Sequence, residues 1–193
     1  MLDTAIVGGG LCGLAIAQGL AARGERFALF EARSRLGGRI LSGDTATPGT
    51  PIDLGPTWYW PDSQPRITRL IADLGLENFA QQDADTVLHL KDPDAKPETL
   101  APGPVHAGAR RVSGGLGTLI DALAGRVAES DIHLGHVLMA VFDHGDHVEL
   151  QFLRGYEPLV VRARSVVLAL PPRLLEEQVA FSPALDAPLR QIL

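Results

Sequence analysis

Apolar residues fall in short runs separated by glycine, and the spacing within the runs changes along the chain. Thr4 to Val7 is an apolar stretch ending at Gly8, which predicts a buried strand. Leu14, Ile16, Ala17, Leu20 and Ala21 then recur at helical spacing, and the helix is expected to stop near Gly24. Arg26 to Phe30 predicts a second strand with Glu31 at its end. Pro65 to Leu74 predicts an amphipathic helix with Ile67, Leu70, Ile71 and Leu74 on one stripe and Gly75 as its C-cap. Between Asp83 and Val112, short apolar runs mix with Pro and Asp, as expected for loops and a β-pair. Ile132 to Val137 predicts a short strand. Val137 to Phe142 and Val148 to Leu153 predict two strands joined by a turn at Asp143-His144-Gly145-Asp146-His147. Val160 to Leu170 completes a small antiparallel unit and returns to the main sheet.

The first strand, the helix and the second strand enclose Gly8-Gly9-Gly10-Leu11-Cys12-Gly13, which fits G-x-G-x-x-G. Each position has a physical task. Gly8 permits the tight turn, Gly10 lets a pyrophosphate approach the backbone, and Gly13 lets the helix pack close to the strand. Leu11 and Cys12 sit in the loop beside the phosphates, and the helix N-terminus that follows offers them free N–H groups and a positive dipole end. Glu31 lies 18 residues beyond Gly13, where a carboxylate accepts from ribose hydroxyls and disfavours a 2′-phosphate. An α/β, Rossmann-like dinucleotide-binding domain is therefore expected.

Composition narrows the function classes. Of the 193 residues 46% are hydrophobic and 21% charged, ordinary values for a globular chain. A net charge of −6 offers no basic footprint, so no nucleic-acid partner is expected. The single cysteine, Cys12, fits a reducing cytoplasm and reads as a small loop residue rather than a redox group. Met1-Leu2-Asp3 shows no charged signal-peptide region, and Leu11 to Ala22 is too short to span a bilayer. A soluble, cytoplasmic protein without a membrane partner is the expectation. The Asp/His run at 143–147 reads as a turn, so no metal is expected. None of the six His stands in a Ser/His or Cys/His arrangement.

Glu31-Ala32-Arg33-Ser34-Arg35-Leu36-Gly37-Gly38-Arg39 resembles the E-A-R-x-R-x-G-G-R stretch of the flavin amine oxidase superfamily. Asp53-Leu54-Gly55-Pro56-Thr57-Trp58 resembles its D-x-G-x-x-W segment, and Arg111 to Leu123 its G-G-x-x-x-L-x-x-x-L helix entry. Val166 to Pro172 resembles the next strand of that family. The resemblance covers most of the chain and is weaker between Asp62 and Arg110. It implies FAD as cofactor, in a glutathione-reductase-type domain with a small antiparallel β-unit and part of an inserted α+β substrate domain. The cofactor domain would comprise 1–61 and 113–193, and the insertion 62–112.

The resemblance also assigns residues to the cofactor. Gly38 passes close to it, Arg39 meets the pyrophosphate, and Arg33 or Arg35 lies near the ribose. Gly55, Pro56, Thr57 and Trp58 approach the isoalloxazine, while Tyr59 and Trp60 begin a cavity wall or anchor the core. Val137 contacts the adenine through its backbone, and the strand end at Ala169 approaches the cofactor. In the family an amine is oxidised by hydride transfer to FAD, with O2 reoxidation to H2O2. The catalytic residues are expected in a C-terminal part that follows, because Lys91 and Lys96 are the only lysines and stand in a polar loop. The chain stops at Arg190-Gln191-Ile192-Leu193, which reads as the interior of a helix. A truncated chain, inactive by itself and self-associating through uncovered surface, is the expectation. The same motifs would serve a phytoene desaturase or protoporphyrinogen oxidase type of flavoenzyme, or a non-catalytic dinucleotide-binding module.

Overall fold

A computed structural model describes residues 1–47, 51–82, 86–100 and 106–186. The C-terminal segment read as a helix interior, Arg190 to Leu193, lies outside the described residues. In chain order the elements are β1 (Leu2–Val7), α1 (Leu11–Ala22), β2 (Phe27–Glu31), β3 (Ser42–Gly43), β4 (Ile52–Asp53) and α2 (Pro65–Asp73). Then come β5 (Asn78–Ala80), β6 (Val87–His89), β7 (Glu98–Leu100), β8 (Arg110–Val112) and α3 (Gly117–Ala124). After a 3-10 turn at Glu129–Asp131 follow β9 (Ile132–Leu134), β10 (His136–Asp143), β11 (Val148–Arg154), β12 (Glu157–Leu168), α4 (Pro172–Gln178) and β13 (Ala180–Ser182). The chain forms two compact units, 1–41 with 120–193, and 42–119.

The first unit is built on a seven-stranded sheet of order β13-β10-β11-β12-β1-β2-β9. β1 runs parallel to β2 and to the second half of β12, and β2 runs parallel to β9. The first half of β12 instead pairs antiparallel with β11, which pairs antiparallel with β10. The change of partner falls at Ala163, which lies opposite both Val148 and Leu2. Its side chain is 0% exposed, so a methyl is what fits where the strand serves both sheets. Ala5, Val7, Ala28 and Phe30 of the parallel strands share one core with Leu138, Val141, Leu150 and Phe152 of the antiparallel unit. Phe30 stacks on Phe152 with centroids 4.5 Å apart, a pair worth about 0.5–1.5 kcal/mol beyond its area.

The apolar run Ile132 to Val137, expected as one strand, is two. Gly135 turns out of the sheet and donates its N–H to the Arg33 carbonyl (3.0 Å), so β9 joins β2 while β10 starts a new ladder with β11. β10 alternates buried and exposed positions over its first five residues, whereas no residue of β9 is fully buried. His133 and His136 flank the break and pack on Phe30, at 5.0 and 5.7 Å between centroids. The expected turn at 143–147 is a hairpin, closed by His144 N–H on the His147 carbonyl and Gly145 N–H on Asp143 Oδ1. β12 begins at Glu157, three residues before the expected Val160.

In the second unit the expected helix 65–74 is α2, and of its stripe only Ile71 is buried. Leu76 N–H returns to the Ile71 carbonyl and Gly75 N–H to Ala72, the paired closure of a Schellman motif. β6 and β7 are the pair expected between 83 and 112, and a further pair joins β5, just before that stretch, with β8 at its end. Asp53 accepts the N–H of Leu116 at 2.8 Å, and Ser42 Oγ accepts that of Gly117 at 3.1 Å. The start of α3 is thus held by side chains more than sixty residues earlier in the chain.

Two outcomes are expected. Ala163→Leu overfills the point where β12 changes partner, and urea unfolding should show a loss of about 1–3 kcal/mol. Burial first, and then the neighbouring His136, hold the His133 imidazole below its ordinary value of 6.5, while Asp131 opposes them. The unfolded chain therefore takes up a proton before the folded one, and stability falls as pH drops below 6.5. His133→Phe should flatten the dependence of the urea midpoint on pH between about 7.5 and 5.5.

Candidate dinucleotide-binding site

The site expected in the first forty residues is formed by the ends of β1 and β2, the start of α1 and the loop 36–40. Gly8 has φ of +112°, and a Cβ there would overlap the Ala169 carbonyl oxygen. Its N–H donates to Phe30 and the Ala169 N–H donates to Val7, both at 2.8 Å, so β1 is fixed on both sides where it turns. A Cβ on Gly13 would overlap the Gly8 carbonyl oxygen, so only glycine lets α1 lie this close to β1.

Gly10 is different. A Cβ there would come no nearer to protein than 3.8 Å, at Gly38 Cα. The space it faces is not filled by any of the described residues. The first bond of the helical ladder is Leu14 N–H to the Gly10 carbonyl, so the N–H groups of Leu11, Cys12 and Gly13 precede it and remain for a ligand. Cys12 is exposed beside them and is not packed into the core.

Glu31 is buried, with 8% of its surface exposed. One carboxylate oxygen accepts the Gly9 N–H at 2.7 Å and the other accepts the Arg33 N–H at 2.9 Å. Each oxygen keeps a further lone pair. The carboxylate therefore orders the glycine turn before any ribose is present, a task that sequence reasoning missed. Gly9 in turn accepts the Gly37 N–H at 2.8 Å, and Gly10 and Gly37 form an isolated parallel bridge.

The three arginines of this loop do different things. Arg33 donates to the Gly38 carbonyl at 3.2 Å. Arg35 donates to the carbonyls of Leu36 and Gly38, each at 3.0 Å, and to that of Ile40 at 3.5 Å. Both guanidiniums are turned into their own loop. Arg39 is exposed and its side chain has no partner among the described residues. The unfilled space at Gly10, the free helix start and this unpaired cation together suit the pyrophosphate of a dinucleotide.

The comparisons agree with this geometry. The NAD(P)-binding Rossmann-like domain family matches residues 6–74, and the family described as flavin containing amine oxidoreductase matches 103–192. Putrescine oxidase of Kocuria rosea is 33% identical over 127 residues, 66% of this chain and 26% of that protein. Human amine oxidase [flavin-containing] B is 36% identical over 87 residues, 45% of this chain and 16% of that protein. Over these stretches the chain is similar to the flavin amine oxidase superfamily.

Solved structures of superfamily members carry the same fold. Wild-type putrescine oxidase bound to putrescine superposes with a TM-score of 0.79 at 18% identity, and cyclohexylamine oxidase from Brevibacterium oxydans with 0.77 at 19%. Each alignment covers 99% of this chain and 62% of the other. The chain thus spans under two thirds of the length of the relatives it matches.

The remaining superfamily positions lie as follows. Glu31 sits opposite Leu134 in the β2–β9 ladder, and Gly135 is tied to Arg33, so the stretch leading to Val137 runs beside Glu31, Ala32 and Arg33. Val137 itself faces solvent at 39% exposure. Gly55, Pro56, Thr57 and Trp58 belong to the second unit. There Thr57 Oγ1 donates to the Gly55 carbonyl, and Trp58 donates its indole N–H to Gln81 at 2.8 Å while stacking on His106 at 4.2 Å. Of the two roles weighed for Tyr59, the core anchor is the one realised. It is 3% exposed and exchanges both backbone bonds with Arg110. No group of His, Cys, Asp and Glu suited to a metal occurs among the described residues.

Gly10 and Gly13 make a contrasting pair of tests. Gly13→Val should force α1 off β1 and lower the thermal midpoint, at a cost of about 1–3 kcal/mol or more. Gly10→Ala meets open space at an ordinary φ of −80°, and its stability should stay within about 0.5 kcal/mol of the parent.

Proposed function

We propose that the first unit grips the ADP half of FAD and that the chain is the cofactor-binding part of a flavin-dependent amine oxidase. The observation that carries this reading is the space at Gly10 that no described residue fills, at the free start of α1 and facing the Gly37-Gly38 pair. The N–H groups of Leu11, Cys12 and Gly13 bind the pyrophosphate, and Arg39 adds a mobile guanidinium. Glu31 keeps its hold on Gly9 and Arg33 and offers its remaining lone pairs to the ribose hydroxyls. Its negative charge repels a 2′-phosphate, which disfavours NADP. The backbone near Val137, held beside Arg33 through Gly135, receives the adenine.

FAD, when bound, supplies the two-electron acceptor for the oxidation. This chain's part is to hold and orient it. A small amine is the substrate class, supported by the named activities of putrescine oxidase and amine oxidase B. Residues 62–112 are part of a substrate domain in the same reading. The single cysteine supports a cytoplasmic site of action. Among the described residues no helix is long and apolar enough to cross a membrane. Exposed Met139, Leu159 and Val160 favour self-association of the 193-residue chain.

The test is an absorbance spectrum of the purified chain after incubation with FAD and removal of free flavin. A retained flavin band is expected, and Gly10→Val should weaken retention by about tenfold or more. A folded but colourless parent chain, or one that binds a nicotinamide dinucleotide more tightly than FAD, overturns the reading.

A further inference from the structure

Arg35 stands out among the polar side chains of the first unit, because its charge is committed to backbone carbonyls and has no carboxylate partner among the described residues. Arg23, Arg26, Arg162 and Arg173 each pair with an acid at the surface. Arg35 is half-buried, and its guanidinium is bonded to three backbone carbonyls of the five residues that follow it, those of Leu36, Gly38 and Ile40. The loop closes around it, with Ile40 N–H on the Gly37 carbonyl at 2.9 Å. Gly37 and Gly38 have φ of +99° and +59°, backbone states with little intrinsic preference to persist. A forked, planar donor bridging carbonyls on either side of that pair supplies the missing preference.

The loop so held meets the glycine turn directly. Gly37 N–H donates to Gly9, and a Cβ on Gly38 would lie 3.3 Å from Gly10 Cα. The floor of the proposed pyrophosphate space is therefore two glycine pairs in contact, one ordered by Glu31 and the other by Arg35. We infer that Arg35 is a positioning residue for the dinucleotide, which shapes the floor of the cradle through Gly37 and Gly38, and that Arg39 alone among the three loop arginines lends its charge to the phosphates. This rests on the reading that the cradle binds FAD.

The experiment compares the parent chain with Arg35→Ala, Arg35→Lys and Arg39→Ala. FAD affinity is titrated by flavin fluorescence at several salt concentrations, and amide exchange of Gly37 is followed in the ligand-free state. Arg35→Ala should weaken FAD binding by about 10- to 100-fold, the range for losing hydrogen bonds to a charged group. It should keep the parent's salt dependence and exchange the Gly37 amide faster, while the amides of β1 and β2 stay protected. Arg35→Lys, a point charge without a fork, should not restore affinity, whereas millimolar guanidinium added to Arg35→Ala should restore part of it. Arg39→Ala should lower the salt slope and leave Gly37 exchange unchanged. A reduced salt slope in Arg35→Ala, recovery in Arg35→Lys, or unchanged affinity overturns the inference. Failure of the parent chain to bind FAD overturns the underlying reading. Gly37 exchange still decides in that case, since an unaltered rate in Arg35→Ala refutes the positioning role on its own.

Discussion

The hydrogen bond from the Gly9 N–H to the buried carboxylate of Glu31 ties the end of the first strand to the end of the second, and the cradle is assembled on that tie. Burying a carboxylate is costly unless its oxygens are satisfied, and here each receives a backbone N–H, from Gly9 and from Arg33. The turn at Gly8, the close seating of α1 through Gly13 and the docking of Gly37 on Gly9 all need Gly9 in one place. The carboxylate fixes it without a ligand. On the proposed reading a ribose finds a group already aimed, and binding orders little that was not ordered before.

The parallel core alone is narrow, with β1, β2, β9 and part of β12. Its open face is closed by the antiparallel unit, and the two share Phe30 and Phe152. The long strand β12 makes this possible by belonging to both ladders, with Ala163 small enough to be buried at the crossing. Its return to β1 also brings Ala169 against Gly8, so one strand closes the core and completes the turn under the cradle.

Much of this was legible in the sequence because backbone constraints are local. A glycine that needs a positive φ, a helix that must approach a strand, and an acid at the end of β2 each leave a mark within a few residues. Side-chain partners did not. Glu31 reads as a ribose ligand, yet its bonds to Gly9 and Arg33 depend on how two strand ends meet. Arg33 and Arg35 read as phosphate or ribose contacts, and they bond the carbonyls of their own loop. Asp53 reads in the sequence as the first residue of a D-x-G-x-x-W segment, and its bond to Leu116 spans 63 residues. The break at Gly135 was hidden because Ile132, Leu134 and Val137 read as one short strand, and only pairing with two different strands separates β9 from β10.

Cys12 is the sole thiol in 193 residues, and it is exposed at the first turn of α1, next to the N–H groups that face the cradle. A thiol-directed dye therefore has one address on this chain, the first turn of α1 beside the proposed cofactor site. No engineered cysteine and no removal of native ones is needed to attach a spectroscopic reporter there, so ligand entry becomes observable on the unaltered sequence.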